Sequence, residues 1–263
     1  MAQPKRVNSL IRGLEILETF TPNDSHLTLQ ELSTRTSLPK TTVHRFLKTF
    51  LTMNYVRLDQ RSKAYSLAPR VMALGFSVLS GMDLRAKALH YMESLSRETD
   101  QNVNLAVLDR TEMLYIERIT VRRIINTNLH VGSRVNCYQT AMGRSHIAFL
   151  SGEEYDRLIQ ELVKDKEAII HIGRRGEKLD EILKEVRNKG YAVNDNEWIP
   201  GLHAIGCPVF NDRGKVEASL NMCCISQMVG FDEMIEKFVP PLIETARKIS
   251  SVLGFDGTPR FGR

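Results

Sequence analysis

The chain has 263 residues, 42% hydrophobic and 25% charged, a composition that suits two soluble globular domains. No stretch approaches the roughly 18 consecutive apolar residues of a membrane span. The opening MAQPKRVNSLIRG lacks the apolar core of a secretory signal, so no membrane partner is expected and the cytoplasm is the expected compartment. The net charge of +5 is unevenly placed: residues 1–70 carry 11 Lys or Arg against 5 Asp or Glu, and the other 193 carry 25 basic and 26 acidic groups. A basic first quarter joined to a near-neutral remainder is the pattern of a polyanion-binding module with a partner domain.

In chain order, residues 7–20 place Leu10, Ile11, Leu14, Ile16, Leu17 and Phe20 at helical spacing, and Thr21-Pro22-Asn23-Asp24-Ser25 ends that helix. Thr28 and Glu31 form a capping-box pattern that opens a second helix. Ser37 and Leu38 make a turn, and Pro39 suits the first position of a third helix with Val43, Phe46, Leu47 and Phe50 on its apolar face. Residues 55–58 and 64–67 read as two strands around a polar hairpin tip at Asp59–Lys63. Residues 69–81 form a helix apolar on most sides, which requires cover by another subunit or domain. Helices are then expected at 83–99, 140–150, 152–164, 176–189 and 232–253, and strands at 103–108, 113–119, 191–195, 203–210 and 216–225. The mixture suggests an α+β or α/β layer around one antiparallel sheet, with a frayed tail after about residue 253.

Two short helices joined at Ser37-Leu38-Pro39 fit a helix-turn-helix, and the hairpin after them fits a wing. Leu32, Leu38, Val43, Phe46 and Leu47 pack the helices together. That leaves Lys40, Thr41, Thr42, His44, Arg45 and Lys48 on the other side, where they can reach base edges and phosphates of double-stranded DNA. Arg61 and Lys63 stand at the tip of the wing, and Arg57 adds a further phosphate contact. Ser37 stands where such turns usually carry Gly, and a left-handed non-glycine residue there costs roughly 1 kcal/mol.

The four cysteines, Cys137, Cys207, Cys223 and Cys224, show no metal-ligand spacing and read as free thiols. Neither a metal nor a cofactor is expected. The nucleophile, phosphate-loop, dinucleotide and zinc-protease signatures are missing, and Ser145-His146, being helix neighbours, do not face each other as nucleophile and base. An enzyme is therefore not expected. In 216–225, VEASLNMCCI, one face is apolar while Glu217, Ser219, Asn221, Cys223 and Ile225 make a more polar one, as at a strand with core on one side and a ligand cavity on the other. Thr140, Ala141 and Gly143 are small residues at a helix start, where a ligand carboxylate can approach the backbone.

The stretches RGL (12–14), LTLQELSTRTSLPKTTVHRFL, NYV, YSLAPRVMALG, VGSRVNCYQTAMGR and NDNEWIPGLHAIGCPVFNDRGKVEASLNM together resemble the IclR-type bacterial transcriptional regulators over nearly the whole chain. The resemblance implies an α+β fold of two domains. These are a winged helix-turn-helix over 1–68 (the motif itself at 29–48), a linker helix over 69–82, and a GAF-like effector-binding domain over 83–256 with an antiparallel sheet flanked by helices. It implies a homodimer or homotetramer on a palindromic operator. By resemblance, effector contacts fall on Ile124, Thr127, Val135, Tyr138, Ala141 and Met142, and on Asp195, Leu202, Ala204, Asn221 and Cys223 from the sheet. The family often has paired acids in the stretch 194–197, Cys at Ala204 and Pro at Asn136. The effector expected is a small organic acid, aromatic by similarity to regulators of aromatic-acid catabolism, with Arg122-Arg123 as candidate carboxylate partners. The alternatives are an architectural DNA-binding protein that needs no effector and, behind it, an enzyme.

Overall fold

A computed structural model describes residues 6–121 and 129–261. The chain divides into two compact units, Met1–Gly81 and Met82–Arg263. In the first, helices α1 (Asn8–Glu18), α2 (Leu29–Thr36) and α3 (Lys40–Thr52) precede a hairpin of β2 (Val56–Leu58) and β3 (Ala64–Leu67). A two-residue strand β1 (Leu27–Thr28), which no periodicity marks, pairs antiparallel with the free edge of β3. The core is Ile16, Phe20, Leu27, Leu32, Val43, Leu47, Val56 and Tyr65; helical spacing selects Ile16, Phe20, Leu32, Val43 and Leu47 among them, but the Leu10, Ile11 and Leu14 that it also selects stay exposed.

The Thr28–Glu31 capping box is formed: Glu31 N–H donates to Thr28 Oγ1 at 3.3 Å and Thr28 N–H to Glu31 Oε2 at 2.7 Å. Pro39 is the residue before α3 rather than its first, with ψ at 140°. Ser37 closes α2 in the left-handed region at φ 54°, so the turn keeps its geometry without glycine. Ser33 steadies it by donating its hydroxyl to the Leu38 carbonyl at 2.6 Å. Helix α4 (Arg70–Gly81) buries none of its residues, leaving Met72 74% and Phe76 70% exposed, and α1 exposes Leu10 and Leu14.

The second unit holds a six-stranded antiparallel sheet of order β6-β5-β4-β9-β8-β7. Its strands are β4 (Asn102–Asp109), β5 (Glu112–Ile119), β6 (Arg134–Asn136), β7 (Ala192–Asp195), β8 (Leu202–Phe210) and β9 (Val216–Ile225). Helices α5 (Asp83–Thr99) and α10 (Phe231–Val252) cover one face of the sheet. Helices α6 (Ala141–Ile147), α7 (Gly152–Leu162), α8 (Lys166–Ile172) and α9 (Glu177–Lys189) belong to the layer on the other face. The edge strand β6 and the short α8 lack a sequence pattern of their own and exist through their neighbours, β6 through pairing with Glu112–Leu114 of β5. Helix α6 is shorter than its periodicity predicts, because Phe149 and Leu150 turn tightly back to the His146 and Ile147 carbonyls at 3.1 and 3.2 Å.

The tail is packed, not frayed. Phe255 stacks on Phe210 at 4.8 Å, Phe261 meets Phe149 edge-on at 5.0 Å, and Arg260 N–H donates to the Gly214 carbonyl at 2.8 Å.

The polar side of β9 is buried under α6 rather than facing water. Ser145 and Ser219 share a hydrogen bond of 2.9 Å between helix and sheet. Gly206 lets the α6 backbone come close, since an ideal Cβ there would lie 2.6 Å from the Ala141 carbonyl oxygen. His146, beside Ser145, is 4% exposed, and burial holds its pKa down to about 4 against an ordinary 6.5. The folded protein therefore keeps a neutral ring while the unfolded chain takes up a proton below about pH 6.5, so stability is full above that pH and is lost as pH falls toward 4. Urea unfolding should show about 2 kcal/mol lost between pH 7 and pH 5 on this account, with most of that loss missing in His146→Gln. An unchanged pH dependence in the variant would remove His146 as the cause.

Candidate functional site

Two sites emerge, one in each unit. On α3, Val43 and Leu47 are fully buried, which turns Lys40, Thr41, His44, Arg45 and Lys48 outward as exposed residues, with Thr42 half-buried between the faces. Helical spacing makes this a single surface: Thr41, Arg45 and Lys48 follow one another at steps of four and three. Arg57 on β2 and Arg61 in the hairpin turn are exposed, as is Lys63, which takes a left-handed conformation at φ 57°. Asp59 shapes that turn by accepting from the Arg61 N–H at 2.8 Å and the Ser62 hydroxyl at 2.9 Å. Those hydrogen bonds hold its carboxyl below the ordinary range. Among the described residues, none of the cations on α3 and the hairpin forms an ion pair, whereas Arg35 on α2 is held by Asp24 at 2.8 Å. An unneutralised cationic face with interspersed hydroxyls matches a phosphate backbone and base edges.

The second site is a narrow cleft between α6 and the sheet. Thr140, Ala141 and Met142 form the helix wall, and Tyr115, Asn194, Leu202, Ala204, Asn221 and Cys223 come from the sheet. Trp198 and Ile199 close it from the loop between β7 and β8. Six of the sequence-predicted contacts, Ala141, Met142, Leu202, Ala204, Asn221 and Cys223, thus share one cavity. Val135, Tyr138 and Asp195 are not among its walls. Val135 is buried in the edge strand β6 opposite Met113. Tyr138 sets its ring against His171 at 5.7 Å. Strand alternation gives Asn194 to the cleft and turns Asp195 to the other face, where it meets His203 Nδ1 at 2.9 Å. Ile124, Thr127 and the Arg122-Arg123 pair lie outside the described residues.

The sequence reading left out Tyr115, Asn194 and Ile199. Asn194 was accessible through the alternation of β7 once its phase was known. Tyr115 required the pairing of β5 with β4.

The loop that closes the cleft is strongly pinned. Glu197 receives two hydrogen bonds from the Arg144 guanidinium on α6, at 3.0 and 2.6 Å, while Arg144 Nε donates to the Tyr138 carbonyl at 3.0 Å. Asn194 donates to the Gln139 carbonyl at 2.6 Å, and Asn196 Oδ1 accepts from Gly201 N–H at 2.8 Å. Burial pushes the Tyr115 phenol and the Cys223 thiol up, so both stay protonated at neutral pH. Among the described residues no group of three His, Cys, Asp or Glu is placed to hold a metal ion. Ser145 spends its hydroxyl on Ser219 and the Met142 carbonyl.

Residues 9–60 match the IclR helix-turn-helix domain, and residues 76–251 match the family described as bacterial transcriptional regulator IclR C-terminal. The chain belongs to the IclR family. It is 32% identical over 250 residues to the Pca regulon regulatory protein of Pseudomonas putida, covering 94% of this chain and 84% of that one. An IclR family transcriptional regulator from Brucella abortus has a similar structure, with a TM-score of 0.81 and 26% identity over 94% of this chain and 93% of that one. An IclR homologue from Microbacterium hydrocarbonoxydans, solved with 4-hydroxybenzoate, shares the fold at a TM-score of 0.75 and 22% identity, covering 93% and 98% of the two chains. The IclR family is one of transcriptional regulators, not enzymes, so the two sites belong to a DNA-binding domain and an effector-binding domain. No described helix is long and apolar enough to cross a membrane.

Proposed function

We propose that this IclR-family regulator reads a palindromic operator in the cytoplasm as a homodimer or homotetramer, and that a small organic acid, aromatic in character, sets its affinity from the cleft. Lys40, Thr41, Thr42, His44, Arg45 and Lys48 take the major groove, and Arg57, Arg61 and Lys63 take phosphates beside it. The observation that carries this reading is the exposed face of α3, cationic and without acid partners, directly opposite side chains that are fully buried. Self-association is supported by the apolar side chains that α1 and α4 leave in water, Leu10, Leu14, Met72, Leu74, Phe76 and Val78, a surface that a second copy would cover. A palindrome then follows from two-fold symmetry.

The acid effector is supported by the aromatic and aliphatic lining of the cleft and by the Microbacterium hydrocarbonoxydans homologue with its bound 4-hydroxybenzoate. The domain boundaries proposed are those of the sequence reading, with α4 as the linker. The test is Asn221→Leu, which replaces a polar lining group of the cleft with a larger apolar branch. Calorimetry with 4-hydroxybenzoate should show at least a tenfold loss of affinity, while operator binding without ligand stays the same in a gel shift. Equal ligand affinity in the two proteins would count against the cleft.

A further inference from the structure

The lining of the cleft is almost wholly hidden from water: Ala141, Met142, Tyr115, Asn194 and Asn221 are at most 4% exposed. A molecule the size of a benzene ring therefore reaches these side chains only after a wall has moved. Two of the walls are fixed. Helix α6 is joined to the sheet by the Ser145–Ser219 hydrogen bond at 2.9 Å, and in the floor Asn104 Nδ2 donates to Asn221 Oδ1 at 2.7 Å.

The third wall is the loop 196–201 between β7 and β8, which brings Trp198 and Ile199 over the cleft. This loop is tied mainly to itself. Asn196 N–H donates to the Leu202 carbonyl at 3.0 Å, Leu202 N–H to the Ile199 carbonyl at 3.1 Å, and Gly201 N–H to Asn196 Oδ1 at 2.8 Å. Bonds of that kind make a stiff flap, not a slack chain. Its stems are held at Asn194 Oδ1, which accepts from Trp198 N–H at 3.4 Å, and at the Gly201 carbonyl, which accepts from Ser226 N–H at 2.9 Å. Across the cleft, among the described residues, one polar contact joins the loop to α6, the pairing of Glu197 with Arg144 at 3.0 and 2.6 Å.

The two partners of that contact differ in kind. Arg144 is a fixed post, 6% exposed and held independently by the Tyr138 and Val193 carbonyls at 3.0 and 3.4 Å. The Glu197 side chain, on the loop, keeps 47% of its surface in water. A half-hydrated carboxylate exchanges a partner for solvent at small cost, whereas the buried walls cannot.

We infer that residues 196–201 are a hinged door to the cleft, and that the Arg144–Glu197 ion pair is its latch. The latch holds the door shut whether the cleft is empty or filled. It therefore sets how fast a ligand enters and leaves, and has little influence on how tightly the ligand binds. The inference rests on the effector reading only for what passes through the door.

Cysteine alkylation makes the test, because Cys223 lines the cleft while Cys137, Cys207 and Cys224 are not among its walls. In the full-length protein iodoacetamide should modify Cys223 at least a hundredfold more slowly than in urea, as read by mass spectrometry of its peptide. Glu197→Ala should speed that modification at least fivefold and leave the other three cysteines at their wild-type rates. Glu197→Gln, which keeps the shape and loses the charge, should move Cys223 in the same direction. Equal Cys223 rates in wild type and Glu197→Ala overturn the inference. So does acceleration of all four cysteines together, which would mean a loosened fold, or a wild-type Cys223 as reactive as in urea. Trp198, the single tryptophan of the chain, supplies a second readout. Release of 4-hydroxybenzoate followed by its fluorescence should quicken by the same factor in Glu197→Ala, with equilibrium affinity changed less than threefold. A changed affinity at an unchanged release rate would also overturn the latch. The alkylation needs no ligand, so failure of the door and failure of the effector reading are separate results.

Discussion

Gly143→Ala should lower the melting temperature of the effector-binding unit by roughly 10 °C, a loss of about 3 kcal/mol or more for a unit of this size. Gly143 lies in the first turn of α6, where its N–H donates to Thr140 Oγ1 at 3.2 Å. The chain doubles back so tightly there that an ideal Cβ would overlap the Cys137 carbonyl oxygen and stand 2.5 Å from the Cys137 Cα. The obstacle is backbone, and it is anchored: Cys137 N–H donates to the Thr111 carbonyl at 3.3 Å, and Cys137 itself is fully buried. Relief requires moving either the start of α6 or the segment after β6, and the start of α6 is a wall of the cleft. Ligand affinity should therefore fall together with stability. Gly75→Ala is the control, since nothing lies within 4 Å of its Cβ position in α4 and alanine favours a helix by about 1 kcal/mol. Thermal melts followed by circular dichroism read both. A Gly143→Ala protein that melts within 2 or 3 °C of wild type, roughly 1 kcal/mol, would falsify the assigned crowding.

Arg45→Ala should abolish the operator gel shift while leaving the oligomeric state unchanged. Arg45 is exposed at the centre of the outward face of α3, a turn from Thr41 and Lys48, and the buried Val43 and Leu47 fix the helix beneath it. A bidentate arginine pairing with a base contributes about 1–3 kcal/mol of discrimination, and a symmetric operator uses it twice, giving a loss of roughly a hundredfold or more. Its side chain is exposed, so size-exclusion elution and melting temperature should match wild type. Arg57→Ala offers the contrast: if that guanidinium takes a phosphate as proposed, all sequences should bind more weakly to the same degree, and the salt slope should fall by about one per subunit. Unchanged operator affinity in Arg45→Ala would remove that residue from the reading face.

The DNA-binding half was legible because its information is local. Thr28 and Glu31 mark where α2 starts, the Ser37-Leu38-Pro39 turn spaces α3, and the 3.6-residue period separates Val43 and Leu47 from Thr41, Arg45 and Lys48 within one contiguous stretch. The cleft is different. Asn104 and Asn221 are 117 positions apart in the chain and meet only because β4 pairs with β9. Their separate strand patterns say which residues share a face and nothing about which strands are neighbours. Asp195 and Asn194 show the same gap at close range, because the pairing of β7 with β8 decides which of the two faces the cleft.

The sequence by itself therefore determined the helix-turn-helix, its outward face, the family and the alternation of each strand, all of them consequences of spacing along the chain. Only the tertiary structure decided which alternating faces converge on one cavity and that Trp198 closes it. Those facts depend on strand order and register, which are set by packing between distant segments.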